Sequence, residues 1–169
     1  MLIPLNQVID VAKLEYQIVW SKGGRFVEKY GMSRYYPWFL ASRAVEFESG
    51  WDMTSRFQGR AVEVLPIDLN CLLYQYEIDF ARTAELNGKK DEKNHWFKQA
   101  AQRQSRINTL LWDDKDGFFY DLNLSRGAIK FKTLAAYYPL WCRLASPAQA
   151  KAVVDKLPIF EQNGGLANT

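Results

Sequence analysis

The sequence predicts an all-α chain of antiparallel helical hairpins laid down in two layers. Three observations lead there. Apolar residues recur at helical spacing in four segments after Pro66. Those segments alternate between helices that are apolar on most sides and helices with one charged face, as buried inner and surface outer layers require. The links between them are short, which makes consecutive helices antiparallel neighbours. With 169 residues, 48% of them hydrophobic and 15% aromatic, the chain can bury a substantial core.

Taken in order, Asn6 to Ser21 reads as a first helix, because Val8, Ile9, Ala12, Tyr16 and Val19 fall near one face and Gly23-Gly24 stops it. Residues 22–47 read as irregular and aromatic-rich, with a short helix near Phe39 to Phe47. Pro66 marks the entrance to a second helix with Asp68 as its expected cap. Leu69, Leu72, Leu73, Tyr76, Phe80, Ala81 and Ala84 then keep helical spacing until Asn87-Gly88. Asp91 is expected to cap a third helix that buries Trp96, Phe97, Ala100, Ile107, Leu110 and Leu111. Its other face, with Lys93, Lys98, Gln102, Arg103 and Arg106, is expected in solvent. Trp112 to Gly117 reads as a turn and Phe118 to Asp121 as a short extended piece.

Thr133 is expected to start a fourth helix, Leu134 to Ala145, apolar nearly all round and buried. Ser146-Pro147-Ala148-Gln149 is a capping box with proline at the first helical position. It opens a fifth, more polar helix that runs to Leu157 and stops at Pro158. Asn163 to Thr169 is a glycine-rich turn. From Asp68 to Leu134 the pattern advances by about 66 residues, so a closed ring of six such units would need about 400. The expected fold is therefore a partial (α/α)6 toroid, with residues 1–169 as a single incomplete barrel segment.

Composition narrows the function. The net charge is +3, from 22 basic and 19 acidic residues spread along the chain, too mild and mixed for a nucleic-acid footprint. No apolar run approaches the roughly 18 residues that span a bilayer, and the start lacks the pattern of a secretory leader. The compartment thus reads as cytoplasmic, and no membrane partner is expected. Cys71 and Cys142 each sit on an apolar helical face, as free buried thiols do. His95 is the only histidine, which excludes histidine triads and clustered histidine metal sites within this chain. Asp113, Asp114, Asp116 and Gly117 lack the glutamate that a calcium loop needs. No metal or cofactor is expected.

One stretch carries chemistry: Glu46-Phe47-Glu48-Ser49-Gly50-Trp51-Asp52-Met53-Thr54-Ser55-Arg56-Phe57. Gly50 allows a tight turn or a close approach to a ligand. Trp51 offers a flat face of the kind on which sugars stack. A carboxyl placed against an indole, as Asp52 would be, can have its pKa raised far enough to protonate a leaving group near neutral pH. An aspartate after Gly-Trp also serves as a helix cap or turn residue, and spacing alone leaves both roles open.

Glu48 to Phe57 resembles the acid-bearing segment E-S-G-W-D-x-[ST]-[SP]-R-[WF] of trehalase-like glycoside hydrolases. Leu65-Pro66-Ile67-Asp68-Leu69-Asn70 with Leu72-Leu73-Tyr74, Leu111-Trp112-Asp113-Asp114 with Gly117 and Tyr120-Asp121, and Gly164-Gly165-Leu166-Ala167-Asn168-Thr169 resemble three further family segments in the same order. The resemblance covers residues 48–169. It implies an (α/α)6 barrel that hydrolyses α-linked glucosides, typically trehalose, with inversion. It also implies Asp52 as the general acid and Gly50 as a position whose backbone touches the sugar. Arg34 matches a substrate-binding arginine, with a different spacing. Trp51 and Asn70 complete the candidate sugar contacts, although Asn70 is equally explained as a helix-start residue that braces the acid loop. The family's second carboxylate, the general base, lies beyond the Gly-Gly segment with which this chain ends. The expected partners are therefore an α-glucoside and either the remainder of the barrel or a second copy. Two other readings remain: a degenerate, non-catalytic binding or assembly module, and an α-glycosidase on the same barrel acting on another glucoside.

Overall fold

The computed structural model describes residue 13, residues 26–27, 29–35, 46, 49–51 and 54–168. The helix expected over Asn6 to Ser21 and the short one near Phe39 to Phe47 lie outside the described residues, except for Lys13 and Glu46, which are both helical. Asp52 and Glu48 also lie outside them.

A long helical hairpin dominates. Helix α1 spans Ile67–Leu86 and helix α2 spans Lys90–Leu110. Pro66 sets up the start of α1 with its own extended backbone. Asn87-Gly88-Lys89 closes it as a Schellman motif: Gly88, at φ +69°, lets Lys89 N–H reach Ala84 O at 2.8 Å and Gly88 N–H reach Glu85 O at 3.0 Å. That three-residue turn sends α2 back along α1. The first residues of α1, Ile67 to Cys71, are all buried, and farther along only the stripe Leu73, Tyr74, Glu77, Phe80, Ala81 and Ala84 is. Phe80 meets Trp96 of α2 with ring centroids 4.9 Å apart.

The outer helix departs from its expected facing. Phe97 is 37% exposed, whereas Arg103, expected in solvent, is completely buried against Glu77 of α1. The residues that α2 turns inward are Ala100, Arg103 and Ile107. A glutamate on the buried stripe of an inner helix needs a charged partner, and Arg103 supplies it.

Short strands bracket the hairpin. Strands β1 (Phe26–Val27) and β2 (Met32–Ser33) form a hairpin around Gly31, at φ +60°. Strand β3 (Val64–Leu65) directly precedes α1. After α2 come β4 (Trp112–Asp113) and β5 (Phe118–Phe119), then β6 (Leu122–Asn123) and β7 (Gly127–Ala128). β6 lies between β3 and β7 in a three-stranded antiparallel sheet, with Leu65 opposite Leu122. This register matters for the site, because it sets Asp121 beside the first turn of α1.

The fourth expected helix is shorter than its apolar run. Thr133 caps a 3-10 turn, Leu134–Tyr137, which passes into helix α3, Tyr138–Trp141. Arg143 then adopts φ +58°, a left-handed conformation that ends the helix. Trp141 is 62% exposed, so the segment is not buried all round. Helix α4, Pro147–Val154, has the expected capping box, with Ser146 Oγ accepting Gln149 N–H and Gln149 Oε1 accepting Ser146 N–H. Another 3-10 turn, Leu157–Phe160, leads to the closing hairpin of β8 (Glu161–Gln162) and β9 (Gly165–Leu166). Among the described residues, no helix is long and apolar enough to cross a membrane.

Candidate active site

The Trp51–Phe57 stretch meets the start of α1 through a buried cluster of charges. Arg56 is 1% exposed and its guanidinium forks onto two carboxylates. Nη1 and Nη2 donate to Asp68 Oδ2 and Oδ1 at 2.8 and 2.9 Å. Nε and Nη2 donate to Asp121 Oδ2 and Oδ1 at 2.7 and 2.9 Å. Burial alone would lower the guanidinium pKa, but Asp121 and then Asp68 outweigh it and hold Arg56 well above its ordinary value.

One guanidinium facing two carboxylates leaves one negative charge to be satisfied. The surplus is met by neutral donors: Trp51 Nε1–H reaches Asp68 Oδ2 at 2.7 Å, Leu69 N–H reaches Asp68 Oδ1 at 2.9 Å, and Ile67 N–H reaches Asp121 Oδ1 at 2.9 Å. Two of these donors are orphan amides of the first turn of a 20-residue helix, where the helix dipole also favours negative charge. Asp68 is thus not the cap expected of it. It lies inside the first turn of α1 and accepts Leu69 N–H, while Asp121, 54 positions from Ile67, accepts the first amide of the helix.

Trp51 and Arg56 also touch each other, with the guanidinium carbon 4.6 Å from the centre of the indole and 4.8 Å from that of Phe57. Trp51, expected to offer its face to a sugar, is held inside the protein. The side chain is 9% exposed, the Arg56 guanidinium covers one face, and the ring N–H is engaged by Asp68. Trp51 braces. Just before it, Ser49 Oγ donates to Glu46 O and accepts Trp51 N–H, and Gly50 takes φ +73° to make the turn. Among the described residues, nothing lies within 4 Å of the point where a Cβ on Gly50 would stand, so they leave that side of the turn open.

Asn70, the other expected sugar contact, is likewise held as a brace. Its Oδ1 accepts Ser33 N–H at 3.0 Å and Arg103 Nη1–H at 3.1 Å, and its Nδ2 donates to Ser33 O and Pro66 O at 2.9 and 2.8 Å. The amide has used its donors and acceptors inside the protein, where it is 0% exposed. It pairs with Ser33 as a neighbouring strand would, stapling β2 to α1. Arg34, the next residue, is half-buried and donates to the carbonyl of Val62. Asp52, between the two braced side chains Trp51 and Arg56, lies outside the described residues. No group of three His, Cys, Asp or Glu side chains that could hold a metal occurs among the described residues.

Arg56, Asp121, Glu77 and Arg103 were not among the expected site residues. Arg56 and Asp121 each stand in a family-like segment, so the signal was present as motif but silent about their pairing. The signal for the other pair was a lone glutamate on an apolar helical stripe.

The sequence profile of the trehalase family matches residues 34–169. This chain belongs to the trehalase family. A probable trehalase from Saccharomyces cerevisiae is 39% identical over 140 residues, covering 76% of this chain and 18% of that protein. A cytosolic neutral trehalase from Neurospora crassa is 33% identical over 150 residues, covering 76% of this chain and 20% of that protein. Among solved structures, a neutral trehalase from Saccharomyces cerevisiae superposes with TM-score 0.89 at 27% identity, over 97% of this chain and 40% of that one. A mannosylglycerate hydrolase from Thermus thermophilus superposes with TM-score 0.52 at 16% identity, over 69% and 29%, and shares the fold alone. The chain thus spans about a fifth of the length of the curated trehalases it matches. Its hairpins are those of a partial (α/α)6 toroid, as the layered sequence pattern predicts.

Proposed function

We propose that this chain carries the general-acid half of an inverting α-glucosidase site acting on a substrate such as trehalose, with Asp52 as the acid and the general base outside this chain. The observation that carries the reading is the clamp on both sides of Asp52. Trp51 before it and Arg56 after it are tied to the same carboxylate, Asp68, at 2.7 and 2.8 Å. A proton donor must be held within a few tenths of an ångström of the glycosidic oxygen, and fixed neighbours at Trp51 and Arg56 suit that need. Inversion then needs a second carboxylate, ionised and about 6.5–9.5 Å away, to activate water on the opposite face of the sugar. Gly50, with its open side, is the proposed backbone contact to the sugar, and Arg34, beside the Val62 carbonyl, is the second. The curated relatives named as cytosolic neutral trehalases support a cytosolic location and trehalose as the first substrate to try.

The test compares glucose release from trehalose and related α-glucosides by this chain alone and by the chain joined to the downstream part of a family member. Activity is expected only in the joined form and is expected to vanish with Asp52→Asn. Robust hydrolysis by the chain alone, abolished by Asp52→Asn, would falsify the half-site. A second reading, a binding or assembly module, is favoured by one observation: a cavity of about 400 Å³ lined by Leu72, Leu134, Tyr137, Tyr138 and the exposed Trp141. Light scattering that finds a monomer with no dye-accessible apolar surface counts against it.

A further inference from the structure

The closing hairpin carries a family-like segment that the acid site does not use. Gly164 stands in its turn, Gly165–Leu166 is its second strand, and Asn163 precedes them. Asn163-Gly164 is one of two Asn-Gly pairs in the chain, and the other is Asn87-Gly88 at the stop of α1. Both pairs are exposed, and among the described residues nothing lies within 4 Å of a Cβ built on either Gly88 or Gly164. Their backbones differ. At the helix stop the amides of Asn87, Gly88 and Lys89 are all held, by the carbonyls of Thr83 at 3.1 Å, Glu85 at 3.0 Å and Ala84 at 2.8 Å. Gly164 N–H meets no backbone acceptor among the described residues. Strands β8 and β9 have two residues each, too few to hold a hairpin firmly by themselves. Their turn also fits them poorly. Asn163 keeps a negative φ while Gly164 takes φ +108°, whereas the Asn-Gly turn that follows the strand twist needs positive φ at both. The hairpin is tied at its far end instead: Ala167 N–H reaches Phe160 O at 2.7 Å, and Asn168 O accepts Leu134 N–H, at the start of the 3-10 turn, at 3.2 Å.

We propose that Asn163 is a modification site at which water converts the side-chain amide to aspartate and isoaspartate, while Asn87, in the same dipeptide, is protected by its helix stop. The Gly164 backbone nitrogen, giving up its proton, attacks Asn163 Cγ, and the absence of a Cβ on Gly164 eases the approach. The N–Cγ bond forms, the Cγ–Nδ2 bond breaks, and Nδ2 leaves as ammonia with that proton. A five-membered succinimide remains. Water then adds to one of its two carbonyls. Opening at Cγ gives aspartate. Opening at the main-chain carbonyl gives isoaspartate, in which the chain runs through Cβ and Cγ and is one carbon longer. One amide and one water become one carboxylate and one ammonium ion, with no oxidant or reductant. Gly88 cannot make the same attack until its bond to Glu85 O opens. Loop length sets the register of a hairpin, so the extra backbone carbon disturbs the pairing of Gln162 with Gly165 and loosens the hold of Asn168 O on Leu134 N–H.

The test incubates the full chain, folded, in mildly alkaline buffer for several days and follows its tryptic peptides by mass. Residues 157–169 carry Asn163 and residues 83–89 carry Asn87, so one sample reads both sites. A gain of about 1 Da, placed at Asn163 by fragmentation and split between two forms that elute apart, is expected. Asn87 is expected to convert at least about fivefold more slowly, because a hydrogen bond must open first. In urea the two rates should converge, since both dipeptides are then free. In the isoaspartate form, amide exchange at Leu134 is expected to be about fivefold faster than in the unmodified chain. The proposal is overturned if Asn163 stays unchanged, or if Asn87 converts as fast as Asn163 in the folded chain. Selective conversion that leaves exchange at Leu134 unaltered overturns the loosening of the 3-10 turn. Every readout is on the wild-type chain, so none depends on a variant that must fold.

Discussion

Arg56 is a single side chain with three jobs: it pairs Asp68, pairs Asp121 and covers Trp51. Lysine would keep the charge but lose the planar fork, leaving buried carboxylate oxygens without donors. Arg56→Lys is therefore expected to destabilise the fold by about 3–5 kcal/mol, measured by urea unfolding. Asp121→Asn should cost less, because its amide oxygen can still accept from Ile67 N–H and Arg56 Nη2–H, and one carboxylate then remains for one guanidinium, which offsets the amide nitrogen set against Arg56 Nε–H. Glu77 and Arg103, both 0% exposed, test the same physics away from the clamp. Arg103→Met alone leaves a buried glutamate and should cost about 3–5 kcal/mol, whereas the double variant with Glu77→Leu should recover most of that loss. A double-mutant cycle in urea checks this. At this scale the sequence told unevenly. The motif around Gly50 to Arg56 stood out, and Gly50 has the positive φ its residue type suggests. The partners of Arg56 did not stand out, because a carboxylate on a helix start looks the same whether it caps its own helix or answers an arginine from another segment.

Helix ends are where local sequence speaks most directly. The capping box at Ser146 and the glycine stop at Gly88 are both formed as their residues require, since the atoms involved lie within a few positions of one another. Ser146→Ala should lower stability by about 1 kcal/mol, read as a fall in Tm, because the eight-residue α4 loses its main N-terminal acceptor. Gly31→Ala should do more damage than the loss of a turn glycine alone. Its Cβ would stand 2.4 Å from the Arg106 guanidinium carbon on a backbone already at φ +60°. A Tm drop larger than that of Gly88→Ala, where nothing lies within 4 Å, is the expected result. Helix α3 is the counter-example. Its apolar run reads as a long buried helix, yet it is four residues long and follows a 3-10 turn. Apolar periodicity reports which residues avoid water and says little about where a chain turns when packing against α1 favours the turn.

Over the whole molecule, charge ties the β4–β5 hairpin to the segment after β7. Asp113 is held below the ordinary aspartate range mainly by its bond from Lys130, and Asp116 mainly by its bond from Tyr120. A carboxyl whose folded pKa is depressed stabilises the fold above its unfolded value and loses that contribution as pH falls through the folded value. Tm should therefore hold between neutral pH and about pH 4 and decline below it, with a shallower decline in Tyr120→Phe. At the same scale the division between chain and fold becomes plain. The helical hairpin, its glycine stop, the capping box at Ser146, the family and the candidate acid were legible along the chain, because each depends on near neighbours or on an uninterrupted motif, whereas the expected caps Asp68 and Asp91 both lie inside the first turns of their helices. The choice of partners came from the folded chain: Asp121 takes the first amide of α1, Trp51 and Asn70 brace, and Arg103 is buried. Each of these is a choice of partner, and it is set by the β3–β6 register and by the packing of α2 on α1. Side chains with more than one possible partner carry no record of the choice until those elements are in place.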